Sequence, residues 1–319
     1  SKPLRPRRFD LFGFALLALA VSAFQIMLDR GQQLDWFDSW EVRIEAGVAL
    51  AAAWMWVVHM ATAEHPMFDR ALLTNRNMLT GLFFMVVIGV IMFATMALLP
   101  PMLQRIWDYP VIDAGLLLAP RGVGILITMW VAGQLIGKTD ARWLVGSGMA
   151  IAALSLWEMT TWSLGMDYRW IVISGAIQGL GMGLVFMPLN LTAFATLDPK
   201  YRTEGASLLN LFRSIGASAG ISIVTTFLAR NLQTSHADLV QHITPFSLPS
   251  VDLSASERLA SAGDAVMAAI DAEVNRQALM IAYLDDFKLM AIVTMLAVPL
   301  VLFLRRPPKP QGPQHVAME

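Results

Sequence analysis

Eight apolar stretches, each about as long as a helix that crosses a bilayer, constrain this chain more than any other feature. They cover residues 9–29, 43–63, 78–100, 114–136, 143–163, 170–192, 206–229 and 287–304. A hydrocarbon layer about 30 Å thick takes roughly 20 helical residues. Hydrophobic residues make up 56% of the 319 residues and charged residues only 15%, which is too apolar for a water-soluble domain of this size. We therefore predict an all-α fold, a polytopic transmembrane bundle of about eight helices.

The basic residues of the short connections fall mostly on one side of this bundle. That side carries Lys2, Arg5, Arg7, Arg8, Arg70, Arg76, Lys138, Arg142, Lys200, Arg202, Arg305, Arg306 and Lys309, and the other carries Arg30, Arg43, Arg105 and Arg169. Lysine and arginine near membrane segments favour the cytoplasm, so we expect both termini there. The rival interpretation is a secretory signal peptide cleaved after Ala23. The apolar run continues to Leu28, which favours an uncleaved helix.

The 230–286 connection is much longer than the others. Ser254 and Glu257 have the spacing of a capping box, and apolar residues at roughly helical spacing follow from Leu259 to Val274. We expect a periplasmic loop with short amphipathic helices, serving either as an interfacial lid or as a docking surface for a periplasmic adaptor protein. The segment 1–8 and the Pro-rich tail 305–319 are predicted to be cytoplasmic, the tail disordered.

Small residues recur every fourth position in two of the apolar stretches. Gly175, Gly179 and Gly183 share one helix face, and Ser214, Ser218 and Ser222 share another. Small faces allow membrane helices to pack closely, and they can also border a substrate path. The short connections further predict that consecutive helices are antiparallel neighbours.

Several motifs together resemble the fourteen-helix drug/proton antiporters of the EmrB/QacA type within the major facilitator superfamily. The first is Leu28-Asp29-Arg30-Gly31-Gln32-Gln33-Leu34-Asp35-Trp36-Phe37, similar to the signature after the seventh helix of that family. In register with it follow Leu72-Leu73-Thr74-Asn75-Arg76-Asn77, Ala114-Gly115-Leu116, Pro120-Arg121-Gly122, Gln178-Gly179, Phe186-Met187-Pro188-Leu189 and Asn210-Leu211-Phe212-Arg213-Ser214.

The resemblance covers nearly the whole chain and implies the carboxy-terminal part of such a transporter in a bacterial inner membrane. Residues 9–63 would form two linker helices, 78–229 the helices of the C-terminal bundle and 287–304 its last helix. The six-helix N-terminal half would be a partner outside this sequence. A weaker similarity to the superfamily's cytoplasmic loop motif runs from Gly133 to Arg142 and makes Asp140 and Arg142 candidate gating residues; a solvated basic turn is the alternative.

Ionisable groups inside apolar spans are candidate sites because burying them is costly. Arg121 and Arg213 could pair with an anionic group across the cavity between the halves, or extend to the interface. Asp29 and Arg30 match the family signature, although an ordinary helix-end ion pair also explains them. Glu158 is expected to be an interfacial carboxylate.

Flexible and polar side chains along two helices are candidate substrate contacts. These are Met85, Met92, Gln178, Met182, Phe186 and Asn190. Methionine suits pockets that receive varied apolar ligands, yet Met and Phe are also common packing residues. The helices that bear them would line the cavity in the resembled fold.

The expected function is export of amphipathic drugs by proton antiport with alternating access, and the alternative is a non-transporting membrane partner or sensor. The net charge of −1 predicts no nucleic-acid partner. No set of catalytic or metal-binding residues emerges, since His59, Glu64 and His65 lack the spacing of a zinc helix. We therefore expect neither an enzyme nor a cofactor.

Overall fold

The computed structural model describes residues 10–64, 66–136, 138–195, 197–242 and 256–303, and these are helical almost throughout. The helices are α1 (Leu11–Gly31), α2 (Trp40–Thr62), α3 (Arg70–Thr74), α4 (Arg76–Ile106), α5 (Val111–Leu135), α6 (Ala141–Met159), α7 (Tyr168–Ala195), α8 (Arg202–His242) and α9 (Ser256–Ala297). Short 3₁₀ turns cover Trp36–Asp38, Pro199–Tyr201 and Pro299–Phe303. Seven helices of the described residues are long and apolar enough to cross a membrane. The prediction of an all-α polytopic bundle is confirmed.

One of the eight predicted spans, 143–163, forms α6 but is not among those seven helices. Its 19 residues are rich in Gly, Ala and Ser and carry Arg142 and Glu158, which makes it less apolar than its neighbours. It is nevertheless packed into the bundle, where it contacts α7 and α9. The position of α6 in the bundle therefore depends on its packing against other helices as well as on its hydropathy.

Side-chain caps define where several helices begin. Asp10 accepts a hydrogen bond from Gly13 N at 2.8 Å at the start of α1. Asn75 accepts from Met78 N at 3.2 Å before α4, and Asp140 accepts from Arg142 N at 3.2 Å before α6. Such caps satisfy backbone donors that have no partner within the helix.

The expectation that consecutive helices are neighbours is confirmed for α1 with α2, α6 with α7 and α8 with α9, but the closest packing joins helices that are not consecutive. The tightest pairs are α4 with α8 and α5 with α7. A Cβ at Gly216 would lie 2.8 Å from Val86 Cα, and one at Gly220 would lie 2.7 Å from Val90 Cα. Since position 86 faces 216 and position 90 faces 220, α4 and α8 run parallel.

The repeated glycines of α7 lie against α5, so their predicted close-packing role is confirmed. A Cβ at Gly179 would lie 2.9 Å from the carbonyl carbon of Arg121, and Gly183 faces Thr128. On its other side α7 meets α6 through Gly181, where a Cβ would lie 2.6 Å from Gly148 O. Backbones at this distance leave no room for larger residues.

The first two helices form a hairpin at the side of the bundle. α1 packs against α2 and contacts α8, and Ser222 of α8 donates to Leu28 O at 3.0 Å. Much of the hairpin surface is apolar and exposed, including Leu50 and Trp54 of α2. In a membrane these side chains would face lipid or another protein rather than water.

The 230–286 connection differs from its prediction as a loop with short helices. Over the described residues it consists of the end of α8, which continues to His242, and the first part of α9, which begins at Ser256. The last span therefore begins well before residue 287. His236 and Asp271 approach within 3.4 Å across this pair. Segment 1–8, Ser254 and the tail 305–319 lie outside the described residues.

Candidate functional site

A buried polar cluster joins α4, α5 and α7 at mid-height of the bundle. Gln178 of α7 and Thr95 of α4 have no solvent exposure. Gln178 Nε2 donates to Thr95 Oγ1 at 3.3 Å, while Thr95 Oγ1 donates to Ile91 O at 2.6 Å. Gln178 Oε1 is buried and accepts no hydrogen bond from the described residues. An unmet buried acceptor costs about 1–3 kcal/mol, so a polar ligand is one way of satisfying it.

Arg121 brings a positive charge to the same cluster. Its side chain is 7% exposed, and Nη2 donates to Met92 O of α4 at 3.3 Å. Within the described residues it forms no ion pair. Its backbone lies against Gly179, the neighbour of Gln178. Because the glycine allows the two helices to touch, Arg121 and Gln178 lie on closely packed helices, and each bonds to α4, at Met92 and at Thr95 respectively.

Arg213 approaches the adjacent residue of α4 from the other side. Its guanidinium lies 6.0 Å from the centre of the Phe93 ring, and Nη2 donates to Asn210 Oδ1 at 3.2 Å. Met92 and Phe93 are about 24 Å from the start of α4 at 1.5 Å per residue. The structure thus places both predicted arginines at one level, near the middle of a single helix.

The predicted substrate contacts divide into groups with different surroundings. Met92 and Gln178 belong to the polar cluster with Arg121. Met85 and Met182 are packed in the apolar core, 2% and 4% exposed. Phe186 and Asn190 are half-buried on α7, where Asn190 Nδ2 donates to Phe186 O at 2.8 Å. All six remain predictions as substrate contacts.

The predicted gating loop lies at the start of α6. Asp140 caps that helix, and Arg142 has a buried Nε without a hydrogen bond from the described residues. Both border a cavity of about 520 Å³, closed on its other side by Val298 and Leu302. Gly137 lies outside the described residues. The loop lies near the end of α9, and its gating role stays a prediction.

The family signature at residues 28–37 builds the hairpin between α1 and α2. Trp36 folds back onto Gly31, where a Cβ would lie 2.8 Å from the indole ring. Asp35 and Trp36 have φ of 53° and 54°, a left-handed turn. Arg30 pairs with Glu41 across the hairpin, and Asp29 accepts from Gln25 Nε2 at 3.2 Å. Arg30 thus forms a helix-end ion pair, and its partner is Glu41 rather than Asp29.

A second polar contact connects both ends of the hairpin near Asp10. The Asp10 carboxylate lies 2.9 Å from His59 Nε2 and accepts from Met67 N at 3.1 Å. Burial by itself would raise the pKa of this carboxyl, but the hydrogen bonds from Gly13 and His59 and the His59 charge outweigh it and lower the pKa. His59 thus has a structural partner, and the described residues contain no cluster suited to a metal ion. His65 lies outside them.

Three polar features were missed or misplaced by sequence reasoning. Thr95 was not singled out, although it is the partner of Gln178. Glu158, which is half-buried near the end of α6, accepts from the fully buried Ser174 of α7, a contact that the sequence did not predict; its interfacial position stays a prediction. Asp286 was assigned to the loop but lies inside α9 without solvent exposure. The apolar pattern of Met280, Tyr283 and Phe287 around it could have indicated that the helix begins earlier.

The sequence of these helices matches a known class of membrane transport protein. Residues 9–221 match the model of the Major Facilitator Superfamily. The chain belongs to this superfamily, whose members are transporters rather than enzymes, and the expectation of a multi-pass membrane protein without enzymatic activity is confirmed.

Curated relatives narrow the resemblance to multidrug exporters. The multidrug export protein EmrB of Escherichia coli K12 is 32% identical over 304 residues, 94% of this chain and 59% of that protein. The fatty acid resistance protein FarB of Neisseria gonorrhoeae is 29% identical over 310 residues, 95% of this chain and 60% of that protein. The predicted EmrB-type resemblance is confirmed. The chain spans about three fifths of these relatives.

A solved structure of a bacterial homolog of the human lysosomal transporter Spinster aligns with 93% of this chain and 68% of its own. The TM-score is 0.48 and the sequence identity 17%.

Proposed function

We propose that this chain is the carboxy-terminal part of a secondary transporter that exports amphipathic compounds in exchange for protons. Its place would be a bacterial inner membrane, with both termini in the cytoplasm. The N-terminal half of the transporter would complete the cavity, and two bundles would alternate around a site near the midplane. The relatives named for multidrug export and fatty acid resistance support this class of substrate.

The buried cluster of Arg121, Gln178 and Thr95 is the observation that carries the proposal. Its donors and its unmet Gln178 acceptor lie near the middle of a bundle whose buried residues are mostly apolar. An amphipathic molecule offers one polar group and an apolar body. In this proposal the polar group reaches Arg121 and Gln178, while Met92 and the neighbouring candidates on α4 and α7 contact the body.

Arg213 has a different role in the proposal. It lies on the other flank of α4, where its charge would face the N-terminal half across the seam. Arginine suits that position because it stays charged and donates in a fixed fork. Asp140, Arg142, Asp29 and Arg30 would act at the ends of the bundle as gating or coupling groups.

The test uses the full-length protein in sealed vesicles. Export of an amphipathic dye should move protons in the opposite direction, so that they are taken up on the side that receives the dye and released on the side that the dye leaves. Replacing Arg121 by Met keeps an unbranched, largely apolar stem but removes the guanidinium group and its charge. Loss of a charged hydrogen bond costs about 1.5–3 kcal/mol, so dye-dependent proton release should fall about 10-fold or more.

Arg169 provides the matched control, since its side chain is 75% exposed outside the bundle. Arg169→Met should transport normally. Absence of proton release from the unaltered protein would refute antiport, and dye binding without any flux would favour the sensor alternative. Survival of transport in Arg213→Met would refute the assignment of Arg213 to the seam, and survival in Arg121→Met would refute the role of Arg121 in the cluster.

The half-transporter assignment has a separate test. The coding region upstream of Ser1 should contain six further spans in frame, with an acidic residue in the first of them. An outer adaptor would meet the part of α8 around residue 238, which is exposed. Cross-linking from residue 238 to a periplasmic protein would detect it.

A further inference from the structure

Asp286 is a fully buried carboxylic acid with no partner among the described residues. Its exposed fraction is 0%, and neither Oδ1 nor Oδ2 accepts a hydrogen bond from them. Tyr283, one turn before it on the same helix face, and Phe287, the next residue, are also buried. Trp162, just beyond α6, stacks edge-on to Phe287 with ring centres 5.7 Å apart. The acid therefore sits in an aromatic, apolar environment.

The depth of Asp286 follows from one contact between α9 and α4. Arg276 Nε donates to Ile106 O, the last residue of α4, at 3.0 Å. Asp286 is ten residues further along α9, about 15 Å inward from the end of α4 at 1.5 Å per residue. This is close to the height of Thr95, the α4 member of the polar cluster. The acid is thus within the apolar part of the bundle.

No nearby cation of the described residues compensates a charge at this position. The titratable side chains closest to it on the elements packed around it are Tyr283, Asp285 and Lys288 of α9, Arg105 of α4 and Glu158 of α6. None of these forms an ion pair with Asp286 in the described structure, and Glu158 is bonded to Ser174. Residues 214–229 of α8 contain no titratable side chain.

An ionised carboxylate cannot persist in such an environment. Moving a charge from water into an apolar interior costs several kcal/mol even after relaxation, and an uncompensated group becomes neutral instead. A protonated carboxyl also has a donor of its own. Trp162 Nε1 is a further buried group, a donor without an acceptor among the described residues, so this corner of the bundle holds more than one polar group without a partner there.

We propose that Asp286 is a proton-binding site: its carboxyl holds a proton while α9 is packed against α4 and α6, and releases it when that packing opens to water. The step forms or breaks one O–H bond, and the proton passes to or from water. A role of Asp286 in coupling rests on the proton exchange proposed above. Its role as a proton-binding site does not depend on that exchange.

Infrared spectroscopy of the purified full-length protein at neutral pH tests the proton site directly. The unaltered protein should show absorbance of a protonated carboxylic acid. Asp286→Asn should lose one such component, whereas Asp285→Asn, at the adjacent and partly exposed position, should keep it. An identical carboxylic-acid absorbance in Asp286→Asn would overturn the proposal. Asp286→Glu keeps a titratable acid, and in a correctly folded protein it should restore the component.

Transport separates the coupling role from the proton site. Asp286→Asn should lower efflux driven by a pH gradient about 10-fold or more, while dye binding changes less than about twofold and Asp285→Asn transports normally. Full gradient-driven efflux in Asp286→Asn would refute coupling through this acid. If the unaltered protein exchanges no protons, the antiport proposal fails, and the infrared result still decides the proton site.

Discussion

The contact between Gly179 of α7 and the Arg121 backbone of α5 makes a sharp prediction about stability. A Cβ at position 179 would lie 2.9 Å from the Arg121 carbonyl carbon and 3.1 Å from its Cα. Carbon atoms in ordinary contact are about 3.5–4.0 Å apart. Gly179→Ala therefore requires the two helices to separate by about half an ångström or more, because the opposing atoms are backbone.

The magnitude comes from two opposing effects. Overpacking of this kind costs about 1–3 kcal/mol, while replacing a mid-helix glycine by alanine gains about 0.5–1 kcal/mol. Gly122→Ala is the matched control, since Gly122 is exposed on α5 and a Cβ there meets nothing within 4 Å. Gly122→Ala therefore gains the helix propensity of alanine without the cost of overpacking. We expect Gly179→Ala to be less stable than Gly122→Ala by about 1–3 kcal/mol, a difference in which the helix propensities cancel.

Unfolding by a denaturing detergent, followed by circular dichroism, measures this difference. The helix separation would also disturb the approach of Arg121 to Met92, so dye binding by Gly179→Ala should weaken. Equal stability of the two alanine variants would refute the close packing of α5 and α7. The position of Arg121 in the cluster would then have lost its physical explanation, because that position depends on the close approach of the two backbones.

Two further predictions concern the α1–α2 hairpin. Ser222→Ala removes the hydrogen bond to Leu28 O and should lower stability by about 0.5–1.5 kcal/mol in the same detergent titration; the exposed Ser214→Ala should change it less, and equal losses would contradict the contact. Asp10 has a lowered pKa, so its carboxylate stabilises the folded state above the ordinary value of 3.8 and loses that contribution as the pH falls below it. Asp10→Asn should lack this acid-dependent loss of melting temperature, and parallel curves for the two proteins would show that the carboxylate does not contribute.

The sequence alone determined that this protein is embedded in a membrane and where most of its helices lie. Runs of about 20 apolar residues can satisfy their backbone groups in a membrane only as helices, and seven such helices are present in the described residues. The signature around Asp29 and Arg30 identified the family, and the glycine spacing of α7 predicted a close helix contact. Each of these features is local, so it can be recognised in a short stretch of sequence.

Only the tertiary structure decided which remote positions meet. Arg121 and Gln178 are 57 residues apart and Arg213 lies on another helix, yet all three gather around the middle of α4 because glycines let the backbones approach. Asp286 looked like the end of a loop, since a charge beside an apolar run normally marks its boundary. Its burial comes from the packing of α9 against α4 and α6, and hydropathy along a single chain contains no information about those contacts.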